Sequence, residues 1–162
     1  MHFTVLYFRE NKTLEDLNHN YLSELEEEFG RKYLDIDDRF IYDKETDEFI
    51  ENPDCDDSEL VSPICDWFQV GGRWADRLKA SRGLKGERSW CNRSQETPEG
   101  YYTIVEVKDL DDEFLQTIEN MVWAVATETI HFEDGEPDYN EFMRRLKSKE
   151  LVGVVSLIDC HN

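Results

Sequence analysis

A chain of 162 residues with 39% hydrophobic and 12% aromatic residues is long and apolar enough to fold as one domain, and this composition excludes an intrinsically disordered chain. The 38 acidic residues outnumber the 18 basic ones to give a net charge of −20, which opposes direct binding to nucleic acid or to a membrane. The chain has no run of about 18 apolar residues and no basic N-terminal signal region, so we expect a cytoplasmic protein whose four cysteines are reduced.

The charge is distributed unevenly along the chain. Residues 10–59 contain 19 acids and 5 bases, a net charge of −14, whereas residues 73–93 contain 7 bases and 2 acids, a net charge of +5. An acidic surface attracts basic protein surfaces, and a local basic segment attracts anions. The sequence therefore favours a basic partner for the first region and an anionic ligand for the second. Solubility alone is the alternative explanation of the acidic residues.

Hydrophobic spacing predicts a strand, a helix and a hairpin in the first third of the chain. Residues 3–8 (FTVLYF) are apolar and rich in aromatic residues, which is typical of a buried strand. Residues 13–29 place apolar side chains at helical spacing behind a threonine N-cap, and Gly30 is expected to end this helix. Residues 39–42 and 48–50 flank a polar turn, which predicts a hairpin.

The second half of the chain predicts alternating helices and strands after one irregular segment. Residues 75–80 fit a short helix, and residues 81–100 are polar and glycine-containing, which is typical of a long, mobile basic loop. The further predicted elements are a strand at 101–107, a helix at 109–120, a strand at 122–132, a helix starting at Asp138 and a strand at 151–158.

This order of elements predicts a single α+β domain over residues 1–162, with a mainly antiparallel sheet, helices on one face and a ferredoxin-like arrangement. An acidic hairpin and loop insertion at about residues 35–62 interrupts the arrangement. In such a fold the last strand lies beside the first and runs antiparallel to it. The prediction therefore places residues 159–161 near His2.

The stretch WFQVGGRW at residues 67–74 is the first candidate ligand-binding site. Two consecutive glycines allow a close backbone approach and can aim N–H groups at an anion, and Arg73 supplies a guanidinium suited to phosphate or carboxylate. The tryptophans can stack on a base. The predicted ligand-binding residues are Trp67, Gly71, Gly72, Arg73 and Trp74. The alternative is a tight turn whose tryptophans anchor a loop to the core and whose arginine pairs with a carboxylate.

The chain ends supply the second candidate site. If the terminal strands pair, His2, Asp159 and His161 are candidate catalytic residues for proton transfer, and Cys160 is a candidate nucleophile. No cofactor is assigned, but a divalent metal at His2, Cys160 and His161 remains open. His2 also begins an H-x-T element like that of the 2H phosphodiesterases, although the chain lacks their second copy. The alternative is that both histidines are solvated at frayed chain ends.

Three blocks of the sequence resemble a family of small phage and prophage proteins. The blocks are HFTVL at residues 2–6, DWFQVGGRW at residues 66–74 and DCH at residues 159–161. They occur in the same order as in the family, and two of them lie at the chain ends. The acidic region at residues 10–60 has no counterpart in that family. The resemblance implies a phage-type accessory protein that acts on the host cell, including its defence systems.

These observations lead to alternative functional hypotheses. The first is a phage-type inhibitor, a binding protein rather than an enzyme, whose acidic surface contacts a nucleic-acid-binding component of a host defence system. Its partner-binding residues would be Asp35, Asp37, Asp38, Asp43, Glu45, Asp47, Glu48, Asp54, Asp56, Asp57 and Glu59. The second is a protein that sequesters or hydrolyses an anionic nucleotide, with Arg73 on the phosphate and Trp74 on the base. An acidic scaffold whose motifs serve only folding is the third.

Overall fold

The protein folds around one seven-stranded, mostly antiparallel sheet, as described by a computed structural model over residues 1–35, 39–56 and 58–162. Three of the predicted partner-binding residues, Asp37, Asp38 and Asp57, lie outside these described residues. No helix within the described ranges is long and apolar enough to cross a membrane. The α+β class and the mainly antiparallel sheet are confirmed.

The described elements are short, apart from the first and last strands and two of the helices. The strands are β1 (His2–Glu10), β2 (Phe40–Asp43), β3 (Glu48–Glu51), β4 (Trp67–Gly72), β5 (Leu78–Lys79), β6 (Glu87–Arg88), β7 (Tyr101–Tyr102), β8 (Ile104–Glu106), β9 (Ala124–Ala126), β10 (His131–Glu133) and β11 (Gly153–His161). The α-helices are α1 (Tyr21–Tyr33), α2 (Asp112–Leu115) and α3 (Pro137–Lys147), and 3-10 turns cover Leu14–Asp16, Val107–Asp109 and Ile118–Asn120.

The two longest strands, β1 and β11, form the centre of the sheet. They pair antiparallel over their whole lengths, with His2 opposite His161 and Glu10 opposite Gly153. β9 and β10 extend the sheet beyond β1, whereas β4 and β8 pair with different halves of β11. The predicted pairing of the terminal strands is therefore confirmed, and it brings both chain ends to the half of β11 that pairs with β4.

Helices cover both faces of the sheet, so the expectation that they cover one face is wrong. Val5 and Tyr7 of β1 pack in the core that contains α1, whereas Leu6 and Phe8 point the other way and pack in the core that contains α3. Because both central strands are apolar on both sides, each face needs a cover that excludes water. The ferredoxin-like arrangement stays a prediction.

Helix α1 begins eight residues later than the apolar spacing predicts. The segment at residue 13 forms only a 3-10 turn, and the Asn18 side-chain oxygen then accepts the N–H of Asn20 at 2.7 Å. This local hydrogen bond competes with a continuous helix. The helix therefore starts at Tyr21, and the apolar residues before it pack against the sheet from an irregular segment.

Gly30 does not end α1, which continues to Tyr33. A Cβ atom at Gly30 would lie 3.5 Å from the ring of Phe68 in β4. This is an ordinary van der Waals distance, and Gly30 has no positive φ, so neither packing nor backbone shape ends the helix there. Phe29 packs against the same ring at a centroid distance of 4.9 Å.

Residues 75–80 form a turn and strand β5 instead of the predicted short helix. Asp76 has a φ of 57°, and its buried carboxylate accepts hydrogen bonds from the Thr103 hydroxyl and the Gly86 N–H, both at 3.0 Å. These bonds to distant residues fix the backbone in a non-helical shape. A local pattern could not reveal them.

Three further predicted elements are broken into shorter pieces. The strand predicted at 101–107 divides at Thr103 into β7 and β8, and the strand predicted at 122–132 is the antiparallel pair β9 and β10. The helix predicted at 109–120 contains only one α-helical turn, α2, flanked by 3-10 turns. Its N-cap is Asp111, whose carboxylate accepts the Phe114 N–H at 2.9 Å.

Residues 81–100 contain turns and the short strand β6, which pairs parallel with the end of β4. The Asn92 side-chain amide donates a hydrogen bond to the Gly72 carbonyl at 2.8 Å. Together these contacts place the basic segment beside β4 and the chain ends. Its predicted mobility stays a prediction.

The predicted hairpin is confirmed as β2 and β3, which pair only with each other among the described strands. It belongs to neither of the two hydrophobic cores.

Candidate functional site

An open cleft of about 530 Å³ lies where β1 begins and β11 ends. It unites the two candidate sites of the sequence, because His2 and His161 line it together with Trp67 and Arg73. Its lining residues are His2, Trp67, Gln69, Arg73, Arg88, Ser89, Trp90, Cys91, Arg93 and His161.

The His2 imidazole is held by a buried carboxylate. Its Nδ1 atom lies 2.8 Å from Oδ1 of Asp159, a residue of β11 with no exposed surface. The second oxygen of Asp159 accepts the backbone N–H of Arg73 at 3.0 Å. A buried carboxylate with both oxygens engaged fixes the orientation of the ring. Because Nδ1 is engaged, Nε2 is the nitrogen of His2 that can exchange a proton with a ligand.

Gly72 makes room for this carboxylate. A Cβ atom at Gly72 would lie 2.4 Å from Oδ2 of Asp159, a distance that side chains do not tolerate. Gly71 and Gly72 also have positive φ angles of 92° and 54°, and their carbonyls accept the N–H groups of Trp74 and Ala75 in a turn. The glycine pair therefore supports the site by packing. The N–H that follows the pair, that of Arg73, donates to Asp159. The prediction that the glycines aim N–H groups at a bound anion stays a prediction.

His161 forms a second histidine–carboxylate pair beside the first. Its Nδ1 atom lies 3.0 Å from Oδ1 of Asp66, and its ring centroid is 5.0 Å from that of His2. The Trp67 ring meets the His2 ring edge to face at 5.7 Å. His161 is more exposed than His2, with 41% against 24% of the side chain accessible. The cross-strand register explains the proximity, since residues 2 and 161 are direct partners.

Three guanidinium groups make the cleft cationic in a protein of net charge −20. Within the described ranges neither Arg73 nor Arg93 forms an ion pair, and Arg88 has one long contact of 3.9 Å, to Asp76. None of the described residues that line the cleft is a carboxylate. Guanidinium groups without protein partners suit phosphate or carboxylate ligands, and a concave surface concentrates their field.

Two predicted site residues lie elsewhere. Trp74 is partly buried against the core that contains α2 and α3, so it anchors the turn and does not line the cleft. Cys160 is fully buried on the α1 side of the sheet, because consecutive residues of a strand point to opposite faces. Burial raises the pKa of the Cys160 thiol well above its ordinary value, with the neighbouring Cys65 adding to the effect, so Cys160 is not a nucleophile.

Cys160 and His161 are consecutive residues of β11 and point to opposite faces of the sheet. The candidate metal site at His2, Cys160 and His161 therefore cannot form from all three side chains. Among the described residues, no group of three or more histidine, cysteine, aspartate or glutamate side chains is arranged to hold a metal ion. The two histidines instead engage carboxylates through Nδ1.

The structure adds residues that the sequence prediction left out, chiefly Arg88, Trp90 and Arg93. Trp90 is 82% exposed at the edge of the cleft. The sequence does indicate these three residues, since all of them lie in the basic segment at residues 73–93. Asp66 is the fourth addition, and it directly precedes the predicted Trp67.

Comparisons with known proteins give no relative from which a role could be transferred. No protein-family model, curated protein or solved structure matches the chain. The chemistry of the cleft must therefore be argued from its own residues.

Proposed function

We propose that the protein binds a nucleotide phosphodiester in the cleft and cleaves it by acid–base catalysis with His2 and His161. The observation that carries the proposal is the pair of imidazoles, 5.0 Å apart and each held by a carboxylate, in a cleft lined by three arginines. Two histidines beside unpaired guanidinium groups match the needs of phosphoryl transfer, in which one group accepts a proton and another donates one.

We assign His2 as the proton acceptor because its Nδ1 atom is held by the buried Asp159 carboxylate, an arrangement that orients a base. Its Nε2 atom accepts a proton from the attacking water, and the Asp159 carboxylate stabilises the imidazolium that forms. The new P–O bond forms as the ester P–O bond breaks. Protonated His161, paired with Asp66, donates its proton to the leaving oxygen. The two histidines exchange protons with solvent to complete the cycle.

The arginines and tryptophans supply binding. Arg73, Arg88 and Arg93 can neutralise the phosphoryl oxygens, whose negative charge is retained in the transition state. Trp67 and Trp90 are both substantially exposed at the cleft and offer ring faces for a base. Trp67, and not Trp74, thus takes the stacking role in this proposal.

The test measures hydrolysis of bis(4-nitrophenyl) phosphate, of cyclic mononucleotides and of dinucleotides. His2→Ala and His161→Ala are each expected to lower kcat by about 10²- to 10⁴-fold, because each removes one proton-transfer group. His19→Ala is the matched control, since His19 is exposed and does not line the cleft. If His2→Ala and His161→Ala hydrolyse these substrates as fast as His19→Ala, the catalytic proposal is refuted.

Binding without turnover is the second form of the proposal. If wild-type protein is stabilised against heat by a nucleotide, and no hydrolysis occurs, the cleft sequesters its ligand. Thermal shifts that disappear in Arg73→Ala would support this form. If no nucleotide either stabilises the protein or is cleaved, both forms fail.

The anti-defence role implied by the resemblance to phage proteins stays a prediction. It is compatible with the cleft, because a protein that removes or sequesters a nucleotide can act on a host process without touching a host protein.

A further inference from the structure

The β2–β3 hairpin exposes five large apolar side chains within twelve residues. The relative exposures are 55% for Phe40, 39% for Ile41, 49% for Tyr42, 75% for Phe49 and 39% for Ile50. Exposed apolar residues that occur singly need no explanation, whereas five of them on one short hairpin indicate an element that another molecule covers.

The apolar residues occupy both faces of the hairpin. Tyr42 and Phe49 are cross-strand partners whose rings meet at 5.6 Å, on the face that also holds Phe40. Ile41 and Ile50 are partners on the opposite face. An isolated two-stranded sheet is marginally stable in water, and this one packs against neither core. Its side chains therefore contribute little to the fold as it stands.

The charge of the surrounding segment selects the kind of molecule that can cover it. The described residues 39–56 and 58–59 contain eight acids and two bases, a net charge of −6. Asp43 and Glu48 face each other directly across the strands, next to the turn that joins them. This field repels nucleic acid, anionic lipid and a second copy of the chain, and it attracts a surface rich in lysine and arginine.

We propose that the β2–β3 hairpin is a docking surface for a protein with an apolar groove bordered by basic residues. The aromatic residues enter the groove and supply most of the affinity, while the acids increase the association rate and set the specificity. The acids of the hairpin itself, Asp43, Glu45, Asp47 and Glu48, are thus the border of the contact. Phe40, Tyr42 and Phe49 are its centre. This proposal does not depend on the cleft, which shares no residue with the hairpin.

The test compares the wild-type chain with the double variant Phe40→Ser/Phe49→Ser. The prey is the heparin-binding fraction of a bacterial lysate, which is enriched in proteins with basic surfaces. Each captured protein is identified, purified and titrated by calorimetry against wild type and variant. The matched control is Ile130→Ser/Val152→Ser, which removes two apolar side chains that are 49% and 66% exposed elsewhere.

At least one purified protein is expected to bind wild type and control alike, and to bind the hairpin variant on the order of tenfold or more weakly. Its affinity should fall with added salt, because the border of the contact is charged. Unfolding temperatures of all three proteins, and any nucleotide hydrolysis, should agree, since the hairpin lies outside both cores and outside the cleft.

Two results would overturn the proposal. One is that every captured protein, once purified, binds the hairpin variant as tightly as wild type, or that none binds wild type at all. The other is a concentration-dependent dimer in sedimentation that the hairpin variant alone abolishes, which would assign the surface to self-association.

Discussion

The cleft and the β2–β3 hairpin both expose aromatic side chains beside many charges, but the protein supports them differently. In the cleft, the partly exposed His2 side chain is hydrogen-bonded to the fully buried carboxylate of Asp159 in the central strand β11. In the hairpin, the Tyr42 and Phe49 rings contact each other, and the Tyr42 hydroxyl donates a hydrogen bond to the Asp47 carboxylate, but neither ring belongs to a core among the described residues. Buried support fixes a side chain in one orientation, as catalysis and small-ligand binding require, whereas a protein partner can itself order an unsupported surface.

The two regions also carry charge of opposite sign. The cleft is lined by three arginines, and the described segment around the hairpin has a net charge of −6. The two proposals therefore require ligands of opposite charge, an anion in the cleft and a basic protein at the hairpin. The net charge of −20 agrees in sign with the hairpin segment and not with the cleft.

The largest effect on stability is expected from Gly72→Ala, which would displace the buried Asp159 carboxylate that holds His2. The new Cβ would overlap the Asp159 carboxylate, and Gly72 has a φ of 54°, so overpacking and backbone strain add to a loss of about 3 kcal/mol in the free energy of unfolding. Urea denaturation measures it. The matched control is Gly135→Ala, where φ is 93° but nothing lies within 4 Å, and strain alone costs about 1 kcal/mol. Equal losses in both variants would contradict the packing role of Gly72.

A smaller effect is expected from Arg73→Ala, which removes one guanidinium group from the cleft and keeps the backbone hydrogen bond from residue 73 to Asp159. Affinity for a nucleoside monophosphate should fall about 10- to 150-fold, because a charge-assisted hydrogen bond contributes roughly 1.5–3 kcal/mol. Stability should change by less than about 0.5 kcal/mol, since the side chain is exposed. Arg77→Ala is the control, because Arg77 is equally exposed and lies outside the cleft. Calorimetric titration that finds the same affinity for both variants would count against the assigned anion site.

The smallest effect is expected where the acidic and basic regions meet, at Glu26 of α1 and Glu87 of β6. Burial, and then the charge of Glu87, raises the pKa of Glu26 from 4.5 to about 7. The folded state therefore binds more protons than the unfolded state between these pH values, so this group's contribution to stability is complete below pH 4.5 and is lost as the pH rises through about 7.

Glu26→Gln should remove this loss of stability at high pH, because glutamine carries no charge. Because Glu26 is partly exposed, solvent screening limits the gain to about 1 kcal/mol or less, or about 2 °C in Tm at pH 8, with little change at pH 5. Glu27→Gln, at an adjacent position that is 76% exposed, controls for the overall reduction of negative charge. The same Tm difference between pH 5 and pH 8 in both variants would show that the Glu26–Glu87 contact has no role in the pH dependence.

Much of the local structure could be predicted from the sequence, and the failures have different causes. The terminal strands, the hairpin and α3 are confirmed because their residues carry strong local patterns. The helix predicted at 75–80 is wrong because Asp76 bonds to Thr103 and Gly86, which are far away in the chain. The start of α1 is wrong for a local reason, the bond between the Asn18 side chain and the Asn20 N–H, and its end is wrong because the helix continues through Gly30 to Tyr33.

The sequence by itself determined which residue types are available to the site and where the charge changes sign. It also predicted, through the expected α+β arrangement, that the first and last strands pair, and this is confirmed. Only the tertiary structure decided that His2, Arg73 and His161 share a cleft. It also decided that Trp67 lines this cleft while Trp74 packs against a core, and that Cys160 points to the opposite face of the sheet. The reason is that strand register and facing are set by contacts between distant segments, and a shift of one residue moves every side chain to the other face.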